Sequence, residues 1–173
     1  MTLTAPQDLT EAFREAFRCH PAGVAVLTAD PGDGPVALTV SSLISVSADP
    51  PTVAFSLSSK SSATAALLRA ETLVIHMMRA ADLPIARLGA TSNIDRFGPD
   101  VAWDRLPTGE PRYRGVAAWF RAKPVGTMQL KGATLIAAEL LEGAAPRAEG
   151  SAAESAFVYL DRRWHRLNPD DAN

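Results

Sequence analysis

The stretch that decides the fold is Gly23-Val-Ala-Val-Leu-Thr28, followed by Pro31-Gly-Asp-Gly-Pro35 and then Val36-Ala-Leu-Thr-Val40. In the two outer runs larger residues alternate with smaller ones, which is the period of two that a β-strand imposes on its side chains. The proline- and glycine-rich segment between them is typical of a turn. Together the three runs predict an antiparallel β-hairpin.

Working outward from this hairpin, similar runs predict further short strands. The candidate strands are residues 44–46, 52–57, 73–78, 116–128, 134–141, 157–159 and 164–167. Helical spacing of apolar residues predicts a first helix over 9–17 that ends near Pro21, and composition predicts short helices at 65–68 and 82–88. Residues 89–112 are polar and rich in turn signals, so we expect a long loop there, and we expect a flexible excursion at 143–155.

The order of these elements favours one architecture. Many short strands without regular strand–helix alternation indicate a mainly β protein, an antiparallel barrel with peripheral helices, and disfavour a doubly wound parallel sheet. The glycine-rich fingerprints of dinucleotide and triphosphate sites are absent from the sequence. A chain of 173 residues fits a single domain that spans residues 1–173.

Charge and composition exclude several classes of function. Lys and Arg number 17 against 19 for Asp and Glu, giving a formal net charge of -2, so nucleic acid is not an expected partner. Cys19 is the only cysteine, which excludes an internal disulfide and a cysteine-cluster metal site. No run approaches 18 consecutive apolar residues, and the first eight residues contain no basic region followed by an apolar stretch. We therefore expect a soluble, cytoplasmic protein without a membrane partner.

The segment Thr39-Val-Ser-Ser42 is the first candidate binding site. In a strand, Thr39 and Ser41 point to one face and Val40 and Ser42 to the other, so hydroxyl groups occupy both faces. Small hydroxyl side chains let a flat ligand approach the backbone and offer both donors and acceptors to its edge. An edge strand with solvated serines would give the same pattern, and periodicity alone leaves both readings open.

A cluster of hydroxyl residues directly before the helix at 65–68 is the second candidate. Free N–H groups at a helix N-terminus attract anions, and flanking hydroxyls and Lys60 would complete a phosphate cradle. Simple capping of the helix is the alternative, but it needs only one of these residues. The members of this serine segment are Ser58, Ser59, Ser61, Ser62 and Thr64.

Several ordered blocks resemble one family. They are Phe17–Thr28, Thr39–Ser42 with Ser45–Pro51, the serine segment, Asp95–Phe97 and Tyr159–Leu167. In this order the blocks resemble the flavin reductase-like, FMN-binding split barrels. That family includes the small reductase components of two-component flavin monooxygenases.

The resemblance implies a homodimeric antiparallel split β-barrel that binds FMN or FAD, reduces it with NADH or NADPH, and supplies reduced flavin to a partner monooxygenase. It implies that Thr39, Val40, Ser41 and Ser42 line the isoalloxazine ring and the ribityl chain. It places the phosphate at Ser58, Ser61, Ser62 and Thr64. It also implies that Arg96 and Phe97 close over the flavin, and it puts His165 near the flavin or in a structural role.

One block departs from the family pattern. Members often carry Gly-Asp-His at the start of a late strand, where the histidine is associated with the nicotinamide, whereas this chain has Lys131-Gly-Ala-Thr134. Two alternatives therefore stay open: a flavin-binding protein without efficient nicotinamide turnover, and a split barrel that acts on a small organic substrate with bound FMN. Hydride transfer needs oriented rings rather than a protein nucleophile, so no catalytic acid, base or metal ligand is assigned. His76, in an apolar strand, is expected to be a core residue.

Overall fold

The computed structural model of the chain describes residues 8–146 and 156–167. The helices are α1 (Leu9–Arg18), α2 (Thr64–Arg69) and α3 (Leu83–Ala90), with a turn of 3-10 helix at Ala80–Asp82. The first strands are β1 (Ala22–Gly23), β2 (Ala25–Ala29), β3 (Val36–Val40), β4 (Ile44–Ala48), β5 (Pro51–Ser58) and β6 (Leu73–Met77). The later strands are β7 (Trp103–Arg105), β8 (Pro111–Tyr113), β9 (Ala118–Gln129), β10 (Ala133–Ala144), β11 (Phe157–Leu160) and β12 (Arg163–Arg166).

The main sheet has seven strands in the order β3-β2-β6-β9-β10-β5-β4, and every neighbouring pair in it is antiparallel. Its two end strands, β3 and β4, follow each other in the chain but are not hydrogen-bonded to each other. The sheet is therefore an open barrel. The prediction of a mainly β, antiparallel split barrel with peripheral helices is confirmed.

Strand β2 lies at the centre of the packing because both of its faces are buried. Ala25, Leu27 and Ala29 point into the barrel core beside Phe55 and Ile136. The alternate side chains of β2 belong to a second apolar cluster outside the barrel. That cluster includes Val26, Ala37, Ala86, Tyr113 and Phe157. The sheet thus separates two cores, one inside the barrel and one beneath α3 and the hairpins.

Helix α3 packs against β3 at very short range. The Thr39 hydroxyl donates a hydrogen bond to the carbonyl of Ala86, at 2.7 Å. Gly89 is buried one turn later, and a Cβ atom there would overlap the Thr39 hydroxyl and lie 3.1 Å from the Thr39 nitrogen. Only glycine leaves enough room for this approach, so Gly89 fixes the distance between α3 and the end of β3.

Within residues 89–112 the structure differs from the expected loop, because β7 and β8 form a hairpin there. Trp103 pairs with Tyr113 and Arg105 pairs with Pro111 across it. Strands of three residues are too short for a periodic signal, and these two are held by contacts with distant residues. One such contact is a hydrogen bond from the buried Thr28 hydroxyl to the Pro111 carbonyl.

A buried carboxylate secures the root of this hairpin. Glu110 accepts hydrogen bonds from the hydroxyls of Thr72 and Thr108 and from Nε of Arg121, the last at 2.6 Å. Burial by itself would raise the pKa of Glu110, but the bonds from Thr108, Thr72 and Arg121 outweigh it and lower that pKa to about 2. The side chain therefore stays ionised and joins the hairpin to β9.

The remaining expected elements fall close to the observed ones. In the expected excursion at 143–155, Gly143 and Ala144 extend β10, and residues 147–155 lie outside the described part of the chain.

Helix α1 buries none of its residues and leaves Leu9, Phe13 and Phe17 exposed. None of the described helices has the length and apolar character needed to cross a membrane.

Replacing Gly89 with alanine tests the close contact between α3 and β3. Overpacking of this kind costs roughly 1–3 kcal/mol, which exceeds the gain of up to about 1 kcal/mol in helix propensity. We therefore expect Gly89→Ala to lower the free energy of unfolding, as measured by urea denaturation.

Gly132→Ala is the matched control, since a Cβ atom there has no neighbour within 4 Å. We expect it to change the free energy of unfolding by less than about 0.5 kcal/mol. A Gly89→Ala variant as stable as the wild type would contradict the close packing.

Candidate functional site

A pocket of about 200 Å³ opens where β3 ends, beside the C-terminus of α3 and the β11–β12 hairpin. It brings the predicted residues Thr39, Val40 and Ser41 together with residues that the sequence did not single out for a site. These further lining residues are Val24, Ala90, Tyr159 and Trp164. The pocket thus combines a polar strand end with an aromatic wall.

The aromatic wall is held by ring contacts. Trp164 stacks on the buried Phe157 with ring centroids 5.5 Å apart and an interplanar angle of 4°. It also packs at 4.8 Å against Tyr159, its cross-strand partner in the hairpin. A flat, fixed indole suits a planar ligand, because aromatic stacking adds to the gain from burial. Trp164 lies in the C-terminal block of the family resemblance, and that block was the signal in the sequence that could have pointed to it.

His165 follows Trp164 in β12 and is not among the residues that line the pocket. Its Nε2 lies 3.2 Å from the carbonyl oxygen of Leu160, in the paired strand β11. An N–H at Nε2 that donates to this carbonyl would stabilise the hairpin. The observed position therefore fits the structural alternative for His165.

Two hydroxyls of the Thr39–Ser42 segment are used inside the protein. Thr39 donates to α3, as described above, and Ser42 donates to the Ser56 carbonyl at 3.1 Å while accepting from the Ser56 N–H at 3.0 Å. Within the described residues, the Ser41 hydroxyl makes no hydrogen bond and is exposed. Ser41 is therefore the hydroxyl of this segment that remains available to a ligand.

The Ser42–Ser56 contact also places the two predicted sites next to each other. Ser56 lies on β5, two residues before Ser58 and the start of the serine segment. The end of β3 and the end of β5 are thereby joined at one end of the barrel. A ligand with a flat ring and an anionic tail would be able to reach from the pocket toward the serine segment.

Within the serine segment the structure separates supporting side chains from available ones. Thr64 is buried and donates to the Ser58 carbonyl at 2.7 Å, and the Ser61 hydroxyl accepts from the Ala63 N–H at 3.4 Å. The Ser58 hydroxyl accepts from the Lys60 N–H at 3.3 Å. Ser62 is exposed and, among the described residues, its hydroxyl has no hydrogen-bond partner.

Capping of helix α2 by one of these serines, the alternative that the sequence left open, is not observed. The N-cap of α2 is Ala63, which provides no side-chain hydrogen bond to the helix. Ser59 instead turns toward the β9–β10 connection, where its N–H and its hydroxyl both donate to the Gly132 carbonyl, each at 3.1 Å. The segment is therefore shaped by turn contacts, and most of its hydroxyls are not committed to capping the helix.

The β9–β10 connection contains the block that departs from the family pattern. Thr134 stands where family members often have a histidine, and it is buried on the barrel-facing side of β10, next to Ile136 in the alternation. Its cross-strand neighbours are Leu57 and Gln129. This position offers the pocket neither an imidazole nor a charge.

Arg96 and Phe97 are held by the protein itself. The Arg96 guanidinium donates to the carbonyls of Leu88, at 3.3 Å, and Thr91, at 2.6 Å, at the end of α3. The Phe97 ring lies in the second apolar cluster, stacked on Tyr113 at 5.3 Å. Neither residue lines the pocket, although Arg96 binds the carbonyls on either side of the pocket residue Ala90.

His76 connects the main sheet to the structures around the pocket. It is fully buried, with Nδ1 3.0 Å from the Val26 carbonyl and Nε2 accepting the Tyr113 N–H at 3.0 Å. Since Nε2 accepts, the ring is neutral with its proton on Nδ1. Burial, with a smaller contribution from Arg112, lowers the pKa of His76 to about 4 despite the bond to Val26. The expectation of a core histidine agrees with this position.

The fold is thus an open antiparallel barrel, and its pocket combines a flat aromatic wall with an available hydroxyl next to the serine segment. The sequence profile of the flavin reductase like domain matches residues 17–168. An NADH:FMN oxidoreductase of Rhodococcus qingshengii is 37% identical over 157 residues, which cover 91% of this chain and 81% of that protein. The chain belongs to the flavin reductase-like family.

Solved structures of the family have the same fold. The flavin reductase domain protein of Arthrobacter sp. FB24 gives a TM-score of 0.83 at 26% identity, with 93% of this chain and 97% of that chain covered. The styrene monooxygenase flavin reductase of Pseudomonas putida S12 gives a TM-score of 0.76 at 27% identity, with coverages of 91% and 97%. The split barrel derived from the strand order is therefore the fold of these reductases.

The titration of His76 predicts how stability depends on pH. The unfolded chain binds a proton at the ordinary pKa of 6.5 and the folded chain only near 4, so the unfolded state binds more protons between these values. The stabilisation is complete above pH 6.5 and is lost as the pH falls toward 4. Relative to His76→Gln, the wild type should lose about 2 kcal/mol of unfolding free energy between about pH 7 and pH 5.

Urea denaturation of both proteins at the two pH values measures this difference. Glu110, with its pKa near 2, remains ionised in the folded state throughout that range and does not obscure the result. A stability difference that stays constant with pH would show that His76 is not held neutral.

Proposed function

We propose that the chain is an NADH-dependent flavin reductase that reduces FMN or FAD and delivers the reduced flavin to a separate monooxygenase. The observation that carries the proposal is the aromatic-walled pocket at the end of β3, which lies beside the serine segment. The curated relative named NADH:FMN oxidoreductase supports the choice of nucleotide and flavin. The solved reductase of styrene monooxygenase supports a partner oxygenase.

The residues of the pocket match the needs of a flavin ring. In our proposal Trp164 and Tyr159 provide the flat wall, and Val24 and Val40 exclude water. Ser41 offers a hydrogen bond to the polar edge of the ring. Thr39 and Ser42 serve the site indirectly, since their hydroxyls hold the strand end in place through Ala86 and Ser56.

The serine segment is the proposed phosphate site. Ser62 and Lys60 are exposed and have no hydrogen bond or ion pair through their side chains among the described residues, so they are available to an anion. Ser58, Ser61 and Thr64 shape the turn through the bonds described above. We place Arg96 and Phe97 behind the flavin pocket as support, and we give His165 the structural role.

When bound, the flavin would supply the redox chemistry as a hydride acceptor for the reduced nicotinamide. The task of the chain is then to hold the two rings against each other and to keep water away. No protein acid or base is needed for that task. Thr134, which is buried in the barrel, takes no part in the proposal, so the nicotinamide is held without the histidine that other members have.

The direct test is a reductase assay with purified protein. NADH or NADPH is mixed with FMN or FAD, and the loss of absorbance of the reduced nicotinamide is followed. We expect turnover with NADH. Flavin binding without turnover would favour a flavin-binding protein that lacks efficient nicotinamide use, and the absence of flavin binding would refute both interpretations.

A second experiment tests the phosphate site. Ser62→Ala and Lys60→Ala should each weaken FMN binding by about threefold to tenfold, since each removes one interaction with an anion. The affinity for riboflavin, which has no phosphate, should stay the same in a fluorescence titration.

Ser59→Ala is the matched control, because its hydroxyl is engaged with Gly132. It should not change the ratio of the FMN and riboflavin affinities. Equal losses for both flavins in Ser62→Ala and Lys60→Ala would contradict the placement of the phosphate.

The homodimer is also part of the proposal. Ile44, Met128 and Leu135 are exposed on the outer face of the main sheet and share that face through the cross-strand pairing. Exposed large apolar side chains that share one sheet face are typical of an interface. The expectations of a single domain over residues 1–173 and of a cytoplasmic location stay predictions.

Charge placed on this face tests the dimer. Leu135→Glu should convert the protein from dimer to monomer in sedimentation equilibrium, since burying an unpaired carboxylate in an apolar interface is costly. A wild-type protein that is monomeric at all concentrations would refute the proposal.

A further inference from the structure

Two side chains of the β7–β8 hairpin bind the backbone of the Arg96–Phe97 segment. Trp103 and Tyr113 face each other across the two strands. The Tyr113 hydroxyl donates to the carbonyl of Arg96 at 2.9 Å, and the Trp103 Nε1–H donates to the carbonyl of Phe97 at 2.7 Å. Two consecutive carbonyls are thus held by two side chains from one cross-strand pair.

The ring of Phe97 completes this arrangement. It stacks on Tyr113 with centroids 5.3 Å apart and an interplanar angle of 8°, and it meets Trp103 edge-on at 5.1 Å and 77°. Each aromatic residue of the hairpin therefore contacts the segment twice, once through a hydrogen bond and once through its ring. Contacts of both kinds restrict the position and the orientation of the segment.

The hairpin itself is rigidly attached to the main sheet. His76 accepts the N–H of Tyr113 and contacts the carbonyl of Val26, and Thr28 donates to the carbonyl of Pro111. All three contacts are buried. Trp103 and Tyr113 therefore have a fixed position relative to β2, whose neighbour β3 carries the pocket residues Thr39 and Val40.

The Arg96–Phe97 segment in turn contacts the end of α3, which forms one side of the pocket. Arg96 donates to the carbonyls of Leu88 and Thr91, on either side of Ala90, which lines the pocket. Phe97 and Tyr113 belong to the same apolar cluster as the wall residue Trp164. A displacement of the segment would thus reach the pocket by two routes, through the end of α3 and through the apolar cluster.

We propose that the β7–β8 hairpin is a clamp that presets the Arg96–Phe97 segment before the flavin binds, and that Trp103 and Tyr113 are positioning residues for flavin binding. The inference rests on the proposed flavin reductase function. Arg96 holds the end of α3 beside the pocket residue Ala90, so a loosened segment would leave this side of the pocket to be ordered when the flavin binds, at a cost in entropy. The clamp therefore acts on flavin affinity, and the hydride transfer itself is left unchanged.

Tyr113→Phe is the test variant, because it removes the hydrogen bond to Arg96 and keeps the ring. The loss of one such bond should raise the KM and the Kd for FMN by about threefold to tenfold, with kcat within about twofold of the wild type. Kd is measured by flavin fluorescence and the kinetic constants with NADH. A residue with only a structural role would lower the melting temperature and leave the Kd unchanged.

Asp104→Asn is the matched control on the opposite face of the same hairpin. Asp104 pairs with Arg112 through two contacts of 3.1 Å and touches neither Arg96 nor Phe97. This variant should lower the melting temperature and leave the Kd for FMN unchanged, because the hydrogen bonds from Trp103 and Tyr113 to the segment remain. If it raised the Kd as much as Tyr113→Phe does, general loosening would explain the effect and the clamp would be refuted.

Two further measurements keep the inference testable if Tyr113→Phe folds poorly. Trp103→Phe removes the bond to the Phe97 carbonyl and should give the same rise in Kd. Hydrogen exchange of the wild type should show residues 92–97 protected to the same extent with and without FMN. Protection that arises only after FMN is added would overturn the clamp.

Different results would refute the proposed function and the clamp. A wild-type protein that neither binds nor reduces flavin refutes the proposed function. A wild type that turns over normally, together with an unchanged Kd in folded Tyr113→Phe and Trp103→Phe, refutes the clamp alone.

Discussion

The burial of strand β2 on both faces is the constraint on which the rest of the structure depends. Leu27, with Ala25 and Ala29 on the same face, fills the barrel, while Val26 on the opposite face belongs to the second apolar cluster. A strand with two buried faces needs cover on each side, and α3 with the β7–β8 hairpin provides the outer cover. The pocket is the recess that remains where α3, the end of β3 and the terminal hairpin meet.

Because β2 is buried on both faces, the polar groups around it must be satisfied within the protein. Thr28, His76 and Thr39 all use their side chains to bind backbone carbonyls of neighbouring elements. Among the described residues, no buried side-chain nitrogen or oxygen lacks a hydrogen-bond partner. Each bond is worth only about 1 kcal/mol, but leaving one group unpaired would cost more, so these contacts fix the relative positions of the elements.

Sequence patterns predicted most of the fold because most elements are long enough to show a period. The hairpin of residues 23–40, the serine segment and the long late strands all lie close to where the patterns put them. The β7–β8 hairpin was missed because it has three residues a side and is held by distant partners such as His76. Of the residues that line the pocket, the sequence singled out Thr39, Val40 and Ser41, whereas the folded chain added Trp164 from the C-terminal block.

From the sequence alone followed the approximate number of strands, the mainly β class and the family. Periodicity, turn residues and ordered blocks are local properties of the chain, so they can be read without the fold. Only the tertiary structure decided which hydroxyls are available to a ligand. Thr39 and Ser42 carry hydroxyls like that of Ser41, but their partners are the backbone carbonyls of Ala86 in α3 and Ser56 in β5. Those partners are set by packing across the sheet, and no local pattern encodes them.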